Sequence, residues 1–298
     1  MASAEITKLK QLLRAKALPP GAPITLEQRR LAMEKVAFKV ATDIARESLT
    51  MAGCAAEWLR APGAVNDHAI LYLHGGGYVM GSPNTHRALG GEISRAARAA
   101  VLLLDYRLAP EAAFPAAVDD AVAAFQWLLA QGFSPSHLAI AGDSAGGGLT
   151  AATLIALRDR ALALPGAAVC ISPWSDLTCR NPSYLTRAAA DPMVTPEMIR
   201  ELAGLYLQGT DPRAPLASPN FADLHGLPPL LIHVGRDEVL LDDAVNLHDK
   251  MRADGADSTL EIWDDMIHVW HAFYPLLPEG QRGIARIGAY LRDQWSRA

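Results

Sequence analysis

The sequence predicts an α/β three-layer sandwich built on a mostly parallel sheet, and three observations carry that expectation. Five short, almost wholly apolar runs recur along the chain, at 69–73, 100–104, 138–141, 167–171 and 230–234. Strands buried on both faces read this way, without the alternation of a half-exposed sheet. Helix-length segments lie between them, near 85–99, 116–130, 145–160 and 240–253, which is the β–α alternation of crossover connections. The length of 298 residues lets one large domain bury roughly three quarters of its unfolded surface, so residues 1–298 are read as a single domain with helical additions.

Two helical patterns, Ile6 to Ala17 and Leu26 to Ile44, precede any strand, separated by Leu18-Pro19-Pro20-Gly21-Ala22-Pro23. Thr25 and Gln28 stand at the spacing of a capping box, each able to satisfy the other's backbone NH. Ser48 to Leu59 alternates loosely and reads as one edge strand, and the turn residues at 61–64 and 66–67 then lead into the buried strands. A last strand at 258–263 is followed by a terminal helix from about Gln281 to Trp295. The stretch from Pro173 to Leu227 breaks the rhythm: it is rich in proline, has no strand-like run, and holds one helix at 196–207. An insertion of that kind is expected to lie over the carboxyl edge of the sheet. With the N-terminal helices it predicts a helical cap from about 1–46 and 175–226.

Composition excludes several classes of function. The net charge is -5 with no basic block, which argues against nucleic acid and against an anionic membrane surface. Every apolar run is too short for a membrane span. The N-terminus lacks the basic-then-apolar order of a secretory signal, so a cytoplasmic location is expected. Cys54, Cys170 and Cys179 are isolated and suggest neither a disulfide framework nor a zinc cluster. The expected partner is a small molecule, with no cofactor and no metal in the chemistry.

The chemistry is read from Gly142-Asp143-Ser144-Ala145-Gly146, set directly between the run 138–141 and a helical segment. A strand, a sharp turn and a helix in that order push the central hydroxyl out at the sheet edge, with helix NH groups aimed at the same spot. A serine hydroxyl needs a base, the base needs an orienting acid, and the developing oxyanion needs donors. After the strand ending at Val234 comes Asp237, and after the strand ending at Trp263 comes His268, which is the chain order nucleophile, acid, base. Glu238, Asp242, Asp243, Asp264 and Asp265 are read instead as surface, capping or supporting groups, and His271 as the rival base. His74-Gly75-Gly76-Gly77-Tyr78 follows the first buried strand; its glycines let successive NH groups turn into the site, so Gly76 and Gly77 are expected to act with the NH of Ala145. It lacks the Lys-Ser or Lys-Thr ending of a phosphate loop.

These segments, with Asp105-Tyr106-Arg107-Leu108-Ala109-Pro110-Glu111 and Phe114-Pro115-Ala116-Ala117, resemble the hormone-sensitive lipase family of bacterial esterases within the α/β-hydrolase superfamily. The similarity runs from about residue 50 onward. It implies an α/β-hydrolase fold with a helical cap and a carboxylesterase acting on short to medium acyl esters through an acyl-enzyme. By position it implies Ser144 as nucleophile, His268 as base, Asp237 as its partner, and Gly76, Gly77 and Ala145 as oxyanion donors. Tyr78, Met80, Tyr184, Leu205 and Tyr206 are candidates for the substrate pocket, together with Trp174 and Met193. Arg107 and Glu111 are read as bracing the sheet edge. The same machinery could serve a lactone, an aryl formamide or another amide, and a non-catalytic receptor on this fold would lack His268. Dimers through an edge strand or a helix are common in similar enzymes, so the resemblance leaves a homodimer open, and the sequence does not fix the oligomeric state.

Overall fold

The computed structural model describes residues 3–16 and 24–297; the separator at 18–23 lies outside them. Helix α1 (Ala4–Lys16) and helix α2 (Leu26–Lys35) precede strands β1 (Ala45–Met51) and β2 (Cys54–Arg60). Then follow β3 (Val65–Leu73), α3 (Pro83–Ala97), β4 (Ala99–Asp105), α4 (Ala116–Ala130), β5 (Leu138–Asp143), α5 (Ala145–Asp159) and β6 (Ala167–Ile171). The insertion carries α6 (Ser183–Thr186) and α7 (Pro196–Leu207), and the chain closes with β7 (Leu230–Gly235), α8 (Leu241–Ala253), β8 (Ser258–Trp263) and α9 (Pro278–Ser296). No helix among the described residues is long and apolar enough to cross a membrane.

Three sequence expectations need adjusting. The single strand expected at 48–59 is a hairpin of β1 and β2, because Ala52 (φ 49°) and Gly53 (φ 85°) supply the two positive φ values of a tight two-residue turn. The helix expected to reach Ile44 stops at Lys35. Thr25 and Gln28 do form its capping box, but beyond its end Val40 and Ile44 pack on Gly91 of α3, and that packing outweighs helical propensity. The terminal helix begins at Pro278 rather than Gln281, proline being well suited to a first helical turn.

The sheet runs β1-β2-β4-β3-β5-β6-β7-β8, with β2 antiparallel to both its neighbours and β3 to β8 parallel. From β3 the chain crosses outward to β4, whereas from β5 it proceeds the other way to β6. The carboxyl ends of β3 and β5 therefore diverge at a switch point, where an open α/β sheet leaves a crevice for ligands. Side chains alternate across the sheet. Ile70, Tyr72, Ala139, Val169 and Leu231 pack under α3 and α9; Leu71, Leu73, Ile140, Cys170 and Ile232 pack under α4, α5 and α8. Both faces are covered, which is why these strands read as continuous apolar runs.

Candidate active site

Ser144 follows β5 directly with φ 55° and ψ -121°, a conformation costing an L-residue on the order of 1–3 kcal/mol. The turn is held by Ser144 NH donating to the Ile171 carbonyl at 2.9 Å and by Trp174 NH donating to the Ser144 carbonyl at 2.9 Å. A Cβ at position 142 would strike the Gly146 carbonyl, and one at 146 would strike the Leu73 carbonyl. The glycines are thus required by the close approach of β3, β5 and α5.

The Ser144 Oγ lies 2.9 Å from His268 Nε2, and His268 Nδ1 lies 2.7 Å from Glu238 Oε2. Asp237, the expected partner, is not in contact with the imidazole. Its NH donates to the Met266 carbonyl, which turns its side chain outward, where it accepts from Lys10 Nζ of α1 at 2.6 Å. Glu238, one position on, faces the sheet edge and is fully buried. Its second oxygen, Oε1, accepts from Gly235 NH at 2.5 Å and from Ser172 Oγ at 2.9 Å. Ser172 Oγ in turn accepts from Val269 NH at 3.0 Å, so one hydroxyl ties the acid loop to the base loop. Asp191, from the insertion, accepts from Val239 NH at 3.0 Å and from the NH groups of Met193 and Val194, and so fixes the backbone beside Glu238. Neither Ser172 nor Asp191 stood out in the sequence; each carries a signal only through the loops it joins.

His271 is fully buried, with Nε2 3.0 Å from His233 Nδ1 on β7. Burial, and the neighbouring His233, hold it well below the usual imidazole range. It does not reach Ser144. For His268 burial acts downward too, but the hydrogen bond and charge of Glu238, with the charges of Asp191 and Asp143, outweigh it and raise the pKa above 6.5.

After β3, Gly76 (φ 123°) and Gly77 (φ 65°) take conformations open to glycine, and a Cβ on Gly76 would strike the Met80 carbonyl. Among the described residues no backbone carbonyl accepts from the NH groups of Gly76, Gly77 or Ala145. The loop is anchored from below. Buried Asp143 accepts from Tyr72 Oη at 2.8 Å and Gly75 NH at 3.2 Å, with His86 Nε2 at 3.2 Å. Burial raises its pKa, but His86 and Tyr72 outweigh that and hold the carboxyl below its ordinary value. His74 stacks on Tyr106 with ring centroids 4.3 Å apart and is pushed down to about 3, chiefly by burial. Tyr106 Oη donates to its carbonyl. Arg107 pairs with Asp120 of α4, while Glu111 pairs with Arg30 of α2.

Ser144 and His268 open into a cavity of about 950 Å³, mostly apolar, lined among others by Leu31, Val36, Phe38, Met80, Trp174 and Leu202. Met193 lines it as well, but Tyr78, Tyr184, Leu205 and Tyr206 do not. Tyr78, turned away by its φ of 63°, stacks on Tyr206 at 3.9 Å behind the glycine loop. Tyr184 Oη points to Asp243 Oδ2 at 3.2 Å, and Leu205 packs on the core formed with α4, α5 and α8. The lining from 24–38 escaped the sequence reading because α2 has no buried residue and hence no apolar face to recognise.

A mostly parallel sheet with a hydroxyl presented at its switch crevice defines the class of α/β hydrolases, and the family model described as alpha/beta hydrolase fold matches residues 70–272. The chain is 48% identical over 294 residues to an acetyl-hydrolase of Streptomyces hygroscopicus, covering 98% of this chain and 97% of that one. EstE5, in a crystal soaked with p-nitrophenyl butyrate, matches with a TM-score of 0.98 and 64% identity over 99% of this chain and 100% of that one. An esterase from the bacterial hormone-sensitive lipase family matches with a TM-score of 0.95 and 50% identity, over 99% of each chain. The protein belongs to the hormone-sensitive lipase family of α/β hydrolases and is a carboxylic ester hydrolase.

Proposed function

We propose that the protein hydrolyses short to medium acyl esters through a Ser144–His268–Glu238 triad and an acyl-enzyme on Ser144. The observation that carries this reading is the His268 ring, bonded at one nitrogen to Ser144 and at the other to Glu238. Glu238 holds the proton on Nδ1, so Nε2 is free to accept the Ser144 proton as Oγ attacks the ester carbonyl. The NH groups of Gly76, Gly77 and Ala145 receive the developing oxyanion. His268 then protonates the departing alcohol, and on the second half-cycle deprotonates the water that releases the acid. Residues 24–38 and 193–202, within the segments at 1–46 and 175–226, act as a cap, their apolar side chains enclosing the acyl and alcohol groups. Trp174 lines the cavity one hydrogen bond from Ser144 and limits acyl depth there. A p-nitrophenyl ester series tests the substrate class: kcat/KM is expected to peak at a short or medium acyl chain and to fall steeply by palmitate. A palmitate optimum, or preference for a lactone or aryl amide over every ester, overturns it.

A pH dependence follows from His268. The imidazole must be neutral to act as base, and its pKa is raised, so the acid limb of kcat/KM is expected above pH 6.5. Removing the Glu238 charge should move that limb downward. A limb below the ordinary histidine value in the wild type would show that burial, not Glu238, dominates. The same shift means that charging His268 favours the fold below the unfolded pKa, a contribution lost as pH rises through the folded one.

A further inference from the structure

We propose a transition-metal site, of the zinc, nickel or copper class, formed by Asp67, His68 and His137 at the amino edge of the sheet. The strand register builds it. Ala69 of β3 pairs with Leu138 of β5, so His68 and His137, each one residue earlier, sit side by side, His137 closing the 3-10 turn that leads into β5. His68 follows the parity of Ile70 and Tyr72, which face α9, and His137, at the end of the 3-10 turn 135–137, is brought onto the same side. Their rings are accordingly stacked, with centroids 4.2 Å apart and planes 10° from parallel.

Asp67 would point to the other side in a regular strand. The pairing of β3 with β4 shifts register between Val65 and Ala69, and a shift of this kind re-aims side chains. The Asp67 carboxylate thereby meets both rings, with Oδ1 at 2.8 Å from His68 Nδ1 and Oδ2 at 3.7 Å from His137 Nδ1. Three ligand atoms, one from each residue, lie within 4.8 Å of one another. Tetrahedral ligation at about 2.0–2.2 Å sets neighbouring donors roughly 3.3 Å apart, closer than the 4.8 Å limit within which these three atoms now lie. Joint ligation requires the two stacked rings to swing out of parallel so that both Nδ1 atoms converge on one point; His137 and Asp67, with side chains 34% and 67% exposed, have room to move.

Two imidazoles and one carboxylate suit zinc, nickel or copper, whereas calcium and magnesium call for more oxygen donors than this corner supplies. Solvent can complete the coordination. The site lies at the opposite end of the strands from Ser144, roughly 20 Å away along six residues of β5, so its occupant takes no part in ester hydrolysis. What it would do is clamp β3, the turn before β5 and the end of α9, where Trp295 stands edge-on to His68 at 4.8 Å.

Trp295 also serves as a reporter. Untagged protein stripped with EDTA is titrated with ZnCl2 by calorimetry and melted with and without zinc; tryptophan fluorescence is followed with CuCl2. The expected result is one Zn2+ per chain, a higher Tm with zinc, and copper quenching that is lost in W295F. Replacing either His68 or His137 with asparagine should weaken zinc binding roughly tenfold or more, and the double variant should show no Tm response while hydrolysing p-nitrophenyl butyrate at the wild-type rate. Absence of zinc binding by the wild type, or undiminished binding by the double variant, overturns the proposal. Neither outcome bears on the Ser144 mechanism, which the ester series reads separately.

Discussion

Replacing Ser144 by alanine is expected to lower kcat for a p-nitrophenyl ester by about a millionfold, and replacing His268 by alanine by a similar factor. The double variant is expected to be no slower than either single one, because in the proposed mechanism nucleophile and base act as a unit through the 2.9 Å contact between them. About 8 kcal/mol of transition-state stabilisation is at stake. What remains comes from the oxyanion donors and from binding, which neither substitution touches. The fold should survive. Alanine keeps the Cβ and so keeps the strain at φ 55°, and the backbone bonds, from residue 144 NH to the Ile171 carbonyl and from Trp174 NH to the residue 144 carbonyl, do not involve the hydroxyl. Glycine at the same position should instead melt higher than alanine, since it relieves the positive φ. Steady-state rates and melting curves of the four variants check this, and a Ser144→Ala enzyme within tenfold of wild type would remove Ser144 from the chemistry.

The elbow was legible in the sequence because its constraints are local. Gly142, Ser144 and Gly146 are close in the chain, and the collisions that exclude other residues occur with the adjoining strand and helix. The five central parallel strands were legible too, since both faces of each are covered at 69–73, 100–104, 138–141, 167–171 and 230–234 and the apolar runs record that; their order in the sheet was not. Direction within a turn leaves no such record. Asp237 and Glu238 adjoin, both acidic, both at the right sheet edge; only the bond from Asp237 NH to Met266 and the pairing with Lys10 decide which of them faces outward. Tyr78 shows the same limit. An aromatic residue beside the glycine loop can face the cavity or turn behind the loop, and with its positive φ, invisible in a one-letter pattern, Tyr78 lies against Tyr206 and beside Gly148 of α5. The cavity wall from 24–38 was hidden for a further reason. Leu31 and Val36 remain 51% and 72% exposed, so no periodic burial marks the residues that line the mouth of the site.

The choice between the two neighbouring acids yields the second large effect. Glu238→Gln is expected to reduce kcat by about ten-thousandfold, the scale seen when a triad acid becomes its amide, with little loss of structure. The reason lies in the partners of the carboxylate. Oε1 is held by two donors, Gly235 NH and Ser172 Oγ, so the glutamine's oxygen must take that place and its NH2 must face His268 Nδ1. An NH2 there can only donate. It therefore stabilises the tautomer with the proton on Nε2, the nitrogen that has to accept from Ser144, and it withdraws the charge that supports the imidazolium. Asp237→Asn removes only the pair with Lys10, a partly exposed contact whose loss should cost less than about 1 kcal/mol of stability and leave kcat within a few-fold. Should the asparagine at 237 prove the crippling change and the glutamine at 238 the mild one, the orienting acid is Asp237, and the loop after β7 must rearrange when substrate binds.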